Sequence, residues 1–463
     1  MERPPIEPLN GIGHPGTTRN RKGRGLRLLP LIAATFFMVS GGPYGIEDIL
    51  SAGYRTGLIL LLVLPLVWSL PTALMIGELA SALPEEGGFY VWVRRALGPF
   101  WGYQEAWLSL TASIFDMAIY PTLFVLYLGR LAPSWTVGWH GTAWELALIA
   151  LCCFWNLMGA PAVGDGSVGL SVLLMSPFAI LVVAAAWHGA QRHVHAGWAA
   201  PPQPASGATF ATAVLVALWN YMGWDNASTV AREVDRPQRN YPRAILLSTL
   251  VVMLTYVVPL AAAAWAGIPV AQFTTGSWAN VAATLAGPWL GIAIVAGGTM
   301  TALGMFNALT MSYARLPMVL AEDGLLPGIL ARKNRHGVPW AAVLACAAAW
   351  AMALGFSFER LISLDLILYG ASLILEFIAL VVLRVREPHL ERPFRAGNFA
   401  FACLISTAPA ALIVWAAWDA RSERMAGMPA LLFGAIVAGA GPLCYLLSRV
   451  LWSRPRPVPL GAD

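Results

Sequence analysis

The chain has 463 residues, of which 58% are hydrophobic and only 11% are charged. A soluble protein carries about 25% charged residues, so the composition excludes a soluble globular domain and indicates an integral membrane protein. The formal net charge of +5 follows from basic residues placed around a membrane, as described below, and calls for no nucleic-acid partner.

Twelve apolar segments approach the ~20 residues that a membrane helix needs. They span residues 28–50, 57–83, 98–129, 142–158, 165–188, 207–230, 242–266, 286–320, 338–356, 360–383, 399–418 and 428–450. The first segment is too long, and too interrupted by glycine, to be a cleaved signal peptide. The sequence therefore predicts an all-α integral membrane protein with 12 transmembrane helices.

The basic residues predict the orientation. If the N-terminus is internal, 22 of the 29 Lys and Arg side chains fall on the inner side and six in outer loops. This asymmetry is typical of the positive-inside rule. We expect both termini in the cytoplasm, a mobile tail over residues 1–27, a C-terminal tail over 451–463, and a location in the plasma membrane.

Residues 40–45 interrupt the first apolar segment. Lipid cannot satisfy the backbone groups of a broken helix, so such a break lines a cavity or a ligand. The half-helix that begins near Ile46 points its N-terminal dipole into the break, which favours a substrate carboxylate. The alternative is a kink that only bends the helix. The predicted substrate contacts here are Ser40, Gly41, Gly42, Tyr44 and Gly45.

Two carboxylates follow this break directly. Glu47 and Asp48 are adjacent, so in a helix their side chains point about 100° apart and cannot both face one small ligand. One of them is expected to meet a substrate amine, and Glu47 is included in the predicted site. The other is expected to cap the new half-helix. The sequence does not assign these two roles.

The third apolar segment carries an aspartate at hydrophobic depth. Asp116 and Tyr120 lie four residues apart and share one helix face. A charge at that depth costs about 2.5–3.5 kcal/mol on insertion scales, so Asp116 needs a partner, water or a function. We include both residues in the predicted substrate site.

The sixth segment is broken in the same way, over residues 220–225. When breaks fall at matching positions of two halves, they indicate a midplane substrate site in a transporter. A carboxylate beside aromatic rings suits an organic ammonium, through a charge-assisted hydrogen bond and a cation–π contact. In the alternative, the aspartate caps the half-helix and the aromatics only pack. The predicted contacts are Asn220, Tyr221, Trp224 and Asp225.

Other carboxylates lie deep in apolar segments. Glu78 and Glu105 are near predicted cytoplasmic ends and are expected to anchor loops. Glu376 lies within the tenth segment and is either a proton site or a structural residue. Asp365 and Glu145 receive no role.

The sequence gives little indication of a metal site or of an enzyme active site. No histidine pair has helical i, i+4 spacing, and the H-E-x-x-H motif is absent. The five cysteines have no ligand spacing and are expected to be reduced packing residues. We predict no metal, no cofactor and no catalytic residue.

The residues around the two breaks resemble those of a known protein family. The chain resembles the amino acid–polyamine–organocation superfamily, and within it the polyamine-uptake and L-type-like branch. The specific strings are Ser-Gly-Gly-Pro-Tyr-Gly-Ile-Glu-Asp at 40–48 and Asn-Tyr-Met-Gly-Trp-Asp-Asn at 220–226. Further matching stretches are 77–79, 84–93, 96–102, 116–121, 233–237, 324–327, 335–339, 375–377 and 392–394.

The resemblance implies two inverted five-helix repeats, expected over residues 28–190 and 207–384, with peripheral helices over 399–450. It implies alternating access with discontinuous helices 1 and 6, driven by protons. Some bacterial members place a proton-linked lysine on segment 5, but here the chain's lysines are Lys22 and Lys333. The proton-coupling candidates are therefore Asp116, Asp225 and Glu376.

The predicted function is secondary active transport of small organic amines, either polyamines or amino acids, across the plasma membrane. Abundant carboxylates with no cation in segments 1, 3 and 6 favour a cationic substrate. Backbone amides of a broken helix also bind carboxylates, so an amino acid permease or exchanger stays open. Remote alternatives are a non-transporting amine receptor and a membrane enzyme. The expected partners are the substrate, protons and the bilayer, with no obligatory protein partner.

Overall fold

The computed structural model describes residues 26–192, 207–356, 358–419, 421, 424–425 and 427–452. Residues 1–25 and 453–463, which make up nearly all of the two predicted tails, lie outside the described residues. Within these ranges the chain is almost entirely helical, with one two-residue antiparallel hairpin, Arg424–Met425 against Met428–Pro429.

The α-helices are α1 (Leu28–Val39), α2 (Tyr54–Leu64), α3 (Leu70–Ala82), α4 (Phe89–Leu97), α5 (Pro99–Leu131), α6 (Trp139–Asn156), α7 (Ala160–Arg192), α8 (Gly207–Trp219), α9 (Pro237–Trp265), α10 (Trp278–Ala286), α11 (Pro288–Tyr313), α12 (Arg315–Glu322), α13 (Trp340–Ala351), α14 (Phe358–Arg386), α15 (Phe399–Asp419) and α16 (Ala430–Trp452). A π-helical turn, Pro65–Ser69, joins α2 to α3. Short 3₁₀ segments are Glu47–Ala52, Pro133–Trp135, Trp224–Glu233, Val270–Gln272 and Gly328–Ala331.

Eight stretches of the described chain are long and apolar enough to cross a membrane. They are Tyr54–Ala82, Pro99–Leu131, Ala160–Gln191, Pro237–Trp265, Pro288–Glu322, Arg360–Arg386, Phe399–Asp419 and Ala430–Trp452. The protein is therefore a multi-pass membrane protein. The other four predicted segments fall on α1, α6, α8 and α13, which have between 12 and 18 residues. The count of twelve spans stays a prediction.

Both predicted helix breaks are present. After α1 the chain turns through Gly42 and Gly45, whose φ values of 72° and 83° are left-handed, before the 3₁₀ segment Glu47–Ala52 begins. After α8 it turns through Gly223, with φ of 87°, into the 3₁₀ segment Trp224–Glu233. Side chains with a Cβ rarely adopt this conformation, which explains the glycines.

Two short helices were not predicted. The helices α4 and α10 have nine residues each and lie in stretches treated as loops. Each ends at a glycine with positive φ, Gly98 (99°) or Gly287 (94°), and the following proline starts a long helix, α5 or α11. Proline fits this first position because its missing N–H would be unpaired there. The same succession therefore occurs in each half of the chain.

The long helices α5 and α14 pack side by side and antiparallel. The Ser109 and Ser372 hydroxyl oxygens are 3.2 Å apart. Arg95, four residues before α5, pairs with Glu387, directly after α14, through two hydrogen bonds of 2.7 and 2.9 Å. This bond lowers the pKa of the Glu387 carboxyl below its ordinary value. Together these contacts set the register of the two helices.

Glu78 anchors a loop, which confirms its predicted role. Its carboxylate on α3 accepts hydrogen bonds of 2.9 and 2.5 Å from Arg384 and one of 2.8 Å from the backbone N–H of Ala396. Arg392 lies 3.1 Å from the same carboxylate. This ion pair is buried and hydrogen-bonded on all sides, so it fixes the chain after α14 to α3.

Candidate functional site

The two helix breaks meet at one point. The Asn220 side-chain amide donates to the carbonyl of Gly45 at 3.2 Å and to that of Val216 at 2.8 Å. A Cβ on Gly223 would lie 2.4 Å from the carbonyl oxygen of Met38, so the two backbones approach as closely as glycine allows. Asn220, which the sequence predicted to contact substrate, therefore links the two broken helices through its hydrogen bonds.

A small cavity lies beside this junction, enclosed by α1, α5, α8, α11 and α14. The centres of water-sized spheres can occupy about 20 Å³ of it, which is room for about one water molecule. Five residues of the predicted site line it: Gly41, Tyr44, Asp116, Tyr120 and Asn220. A diamine therefore fits only after the surrounding helices separate.

Two carboxylates border the cavity. Asp116 on α5 accepts hydrogen bonds from the hydroxyl groups of Tyr120 (2.7 Å) and Tyr313 (3.2 Å). Asp365 on α14 is 2% exposed, lines the cavity, and makes no hydrogen bond with the described residues. No lysine or arginine of the described chain lines this cavity. Its electrostatic character is therefore that of a cation site.

Asp225 does not line the cavity but contacts a residue that does. Its carboxylate accepts a 2.5 Å hydrogen bond from the Tyr369 hydroxyl, and Tyr369 lines the cavity. The same hydroxyl accepts a 3.1 Å hydrogen bond from the backbone N–H of Gly223. Asp225 thus reaches the cavity through Tyr369.

Four predicted contacts of the first break lie outside the lining and hold the break in shape. The Ser40 hydroxyl accepts from the N–H of Gly42 at 3.0 Å. The Glu47 carboxylate accepts from the N–H of Gly45 at 2.8 Å and from the N–H of Gly276 at 3.0 Å. Glu47 is fully buried and connects the break to the turn before α10. The neighbouring Asp48 accepts a 2.8 Å bond from Thr275 instead.

The aromatic residues that line the cavity differ from the predicted pair. Tyr221 donates its hydroxyl hydrogen to the carbonyl of Leu61 at 2.8 Å and packs edge-on against Tyr256. Trp224 is fully buried and does not line the cavity. The lining aromatics are Tyr44, Tyr120, Trp219, Tyr313 and Tyr369.

Two glutamates lie on the same two helices, away from the cavity. Glu376 on α14 and Glu105 on α5 are fully buried. Glu105 accepts a 2.8 Å hydrogen bond from Ser109, one turn along its own helix. The prediction that Glu105 anchors a loop is therefore wrong. The position of Glu105 near a predicted helix end did not indicate its surroundings, because α5 continues past Glu105 into the protein interior.

Several lining residues were missed, and a signal existed for two of them. Asp365 and Tyr369 have the same Asp-x-x-x-Tyr spacing that singled out Asp116 and Tyr120. An intramembrane aspartate is a functional candidate by default, so this repeated pattern could have identified them. Thr301 and Tyr313 on α11 carry no comparable sequence signal; only the packing of α11 against the break brings them to the cavity.

Metal-ligating residues do not cluster. Across the described ranges no group of three or more His, Cys, Asp or Glu side chains could hold a metal ion. The five cysteines are all free thiols, as expected.

The chain matches one protein family and is similar to several transporters. Residues 32–438 match the family model described as amino acid permease. The chain is similar to a probable polyamine transporter of Arabidopsis thaliana, with 35% identity over 84% of this chain and 81% of that protein. It is similar to the polyamine transporter PUT1 of Oryza sativa subsp. japonica, with 32% identity over 96% and 82%. It is also similar to the serine/threonine exchanger SteT of Bacillus subtilis, with 25% identity over 74% and 78%.

Proposed function

Because the chain belongs to the amino acid permease family of the amino acid–polyamine–organocation superfamily, we propose that it is a proton-coupled importer of small organic cations, with polyamines as the substrate class. It is a membrane transporter and not an enzyme. The preference for polyamines, the coupling to protons and the site residues belong to the proposal.

The charge of the cavity carries this proposal. Asp116 and Asp365 border it from two facing helices, Asp225 is one hydrogen bond behind Tyr369, and no basic side chain of the described lining opposes them. Four tyrosines and one tryptophan also line the cavity. An alkylammonium group gains both a charge-assisted hydrogen bond and a cation–π contact in such surroundings.

The backbone of the breaks also favours a cation over a zwitterion. An amino acid needs donors for its carboxylate, and broken helices supply them as free N–H groups. Here the N–H groups of Gly42, Gly45 and Gly223 are already bonded to Ser40, Glu47 and Tyr369. A substrate carboxylate would have to displace these internal acceptors.

An amino acid permease or exchanger is the second candidate. The similar protein from Bacillus subtilis is named a serine/threonine exchanger, and that likeness supports this second candidate. Exchange moves one amino acid against another and needs no proton gradient. That difference separates the two candidates by experiment.

The proposed architecture is the twelve-helix fold with two inverted five-helix repeats, and the proposed location is the plasma membrane with both termini in the cytoplasm. Two correspondences support the repeats: the breaks after α1 and α8, and the Gly-Pro junctions that join α4 to α5 and α10 to α11. The distribution of basic residues supports the orientation. In this orientation Arg95 and Glu387, which lie beside the adjacent ends of α5 and α14, face the cytoplasm.

The size of the cavity supports alternating access. A space for about one water molecule cannot hold a diamine. Substrate must therefore bind when the helices around the two breaks have separated on one side. It must leave when they have separated on the other.

Uptake into proteoliposomes tests the proposal. Labelled putrescine is supplied outside with an inward proton gradient, and unlabelled spermidine, arginine and leucine serve as competitors. The proposal expects uptake that needs the gradient and is blocked by spermidine but not by leucine. Serine or leucine transport that requires internal amino acid, with no putrescine uptake, would instead establish the exchanger.

A further inference from the structure

Between the cavity and the end marked by Arg95 and Glu387, α5 and α14 face each other through a second set of acidic side chains. Asp365, Tyr369, Ser372 and Glu376 are spaced four, three and four residues apart on α14. Glu105, Ser109 and Asp116 have the matching spacing of four and seven on α5. Such spacings place each set on one helix face.

The contact between Ser109 and Ser372 sets which residues are opposite one another. Each glutamate lies four residues beyond its serine, away from the cavity, and each aspartate lies seven residues toward it. Glu105 therefore faces Glu376, just as Asp116 faces Asp365. The two acidic pairs are about 16 Å apart along the helices, at 1.5 Å per residue.

The glutamate pair lacks the hydrogen bonds that buried carboxylates require. Both side-chain oxygens of Glu376 and the second oxygen of Glu105 have no partner among the described residues. Both residues are fully buried. A buried polar atom without a partner destabilises the fold, and the destabilisation is larger when the atom is charged.

No basic side chain of the described residues neutralises the pair. The charged groups that interact with Glu376 are Glu105 from α5 and Asp225 from the 3₁₀ segment after the second break. The arginines of α4 and of the C-terminal end of α14 are engaged elsewhere. Arg384 pairs with Glu78 of α3 and Arg95 with Glu387. Arg94 pairs with Asp323, and Arg386 donates to the carbonyl of Ala96. In the described parts of α8, α15 and α16, no charged side chain contacts Glu376 by an ion pair or hydrogen bond.

Two ionised carboxylates cannot remain in this position. Removing each charge from water costs several kcal/mol, and two like charges face to face add repulsion. A proton on the pair removes one charge and supplies an O–H donor for an unpaired oxygen. We propose that Glu105 and Glu376 together form a proton-binding site, separate from the amine cavity, and that the bound proton keeps α5 and α14 packed.

Its role in transport rests on the proposed function and refines it. The proton comes from water on one side of the membrane, binds to a carboxylate oxygen of the pair, and returns to water on the other side. When the pair is deprotonated, repulsion favours separation of α5 from α14. These helices also carry Asp116 and Asp365, so their separation widens the cavity. Proton binding and closure around the amine are thereby linked through one helix interface.

Conservative substitutions test the site. Glu105→Gln and Glu376→Gln remove the titrating group but resemble the protonated acid, and Glu145→Gln on α6 is a matched substitution of a largely buried glutamate outside this interface. Each variant is reconstituted and assayed for proton-driven accumulation of putrescine and for counterflow without a gradient. One proton per substrate supports about tenfold accumulation per pH unit, because that unit is worth ~1.4 kcal/mol.

We expect Glu105→Gln and Glu376→Gln to lose proton-driven accumulation while counterflow continues, and Glu145→Gln to behave as wild type. Wild-type accumulation in either pair variant would overturn the proposal. Because glutamine resembles the protonated acid, the proposal also requires both variants to fold. If both fail to fold while Glu376→Asp folds, the proposal is equally overturned.

A spectroscopic measurement separates this proposal from the proposed function. The infrared C=O stretch of a protonated carboxylic acid reports the proton directly, whether or not putrescine is transported. Loss of part of this band in the double variant Glu105→Gln/Glu376→Gln supports the site, and an unchanged band in that variant rejects it. If wild type takes up no amine under a gradient, the proposed function fails while the infrared result still decides the glutamate pair.

Discussion

Asp116 and Asp365 border the same cavity from antiparallel helices, yet only Asp116 is hydrogen-bonded. Tyr120 and Tyr313 donate to Asp116, whereas Asp365 has no donor among the described residues. This asymmetry separates their roles. Asp116 is held in position by protein groups, and under the proposed function Asp365 is the carboxylate that a substrate ammonium would satisfy.

Substitution of Asp365 by asparagine should therefore weaken amine binding without weakening the fold. A charge-assisted hydrogen bond is worth about 1.5–3 kcal/mol, so the KM for putrescine should rise about tenfold or more. The unfolding temperature should stay equal or rise, because an uncompensated buried charge is removed. Uptake kinetics and thermal unfolding of the purified protein measure the two effects.

Glu391→Gln is the control for this pair of measurements, because Glu391 is exposed in the loop after α14. It should leave both KM and unfolding temperature unchanged. An Asp365→Asn variant with normal KM would remove Asp365 from the substrate site.

The hydroxyl group of Tyr369 is the second test. Tyr369→Phe removes the 2.5 Å hydrogen bond to Asp225 and the acceptor for the N–H of Gly223. Losing a hydrogen bond to a charged group costs about 1.5–3 kcal/mol, so putrescine uptake should fall about tenfold or more. Initial uptake rates at fixed proton gradient measure the loss.

Tyr445→Phe on α16 is the matched control, because the Tyr445 hydroxyl makes no hydrogen bond with the described residues and its ring contacts with Tyr103 and Phe100 are retained. Its uptake should equal that of wild type. Equal uptake by the Tyr369 and Tyr445 variants would show that Asp225 has no connection to the cavity.

The breaks and one side of the site could be predicted from sequence because their chemistry is local. Glycines that must adopt positive φ, such as Gly42 and Gly223, stand out within an apolar run. Asp116 and Tyr120 were found for the same reason, since their spacing defines a helix face. The wall formed by α11 depends on contacts between residues far apart in sequence, such as Tyr313 with Asp116, 197 positions away, and no local pattern contains that information.

The directions of the side chains at the breaks also could not be predicted from the sequence. Tyr221 and Trp224 are close to Asp225 along the chain, but Tyr221 lies in the turn directly after α8 and donates its hydroxyl hydrogen to the carbonyl of Leu61 in α2. Trp219, which was not selected, faces the cavity instead. Helix periodicity stops at a break, so the face of each residue beyond it cannot be counted from the helix before it.

The buried ion pair of Glu78 should contribute stability rather than transport. Glu78→Gln leaves Arg384 and Arg392 without their carboxylate, although the side chains of both arginines are under 10% exposed. Breaking a buried pair from one side costs about 3–5 kcal/mol. We expect a clear fall in unfolding temperature and in the yield of monodisperse protein.

Surviving Glu78→Gln protein should show a normal KM for putrescine, because Glu78 does not line the cavity. Glu391→Gln again provides the exposed control. A raised KM with unchanged unfolding temperature would contradict a purely anchoring role for Glu78.

A close approach of two helices at the site gives the last prediction. A Cβ on Gly41 would lie 2.4 Å from Cγ2 of Thr301 and 2.9 Å from Sδ of Met305, so Gly41→Ala must push α1 away from α11. Gly439→Ala on α16 is the matched control, since no atom lies within 4 Å of the added methyl. We expect the first variant to lose most putrescine uptake and the second to keep it. Adding Thr301→Ser to Gly41→Ala removes the nearest methyl while keeping the hydroxyl that donates to the Gly41 carbonyl at 3.0 Å. The double variant should therefore recover part of the uptake, and no recovery would mean that Met305 or the backbone, rather than Thr301, limits the space at the break.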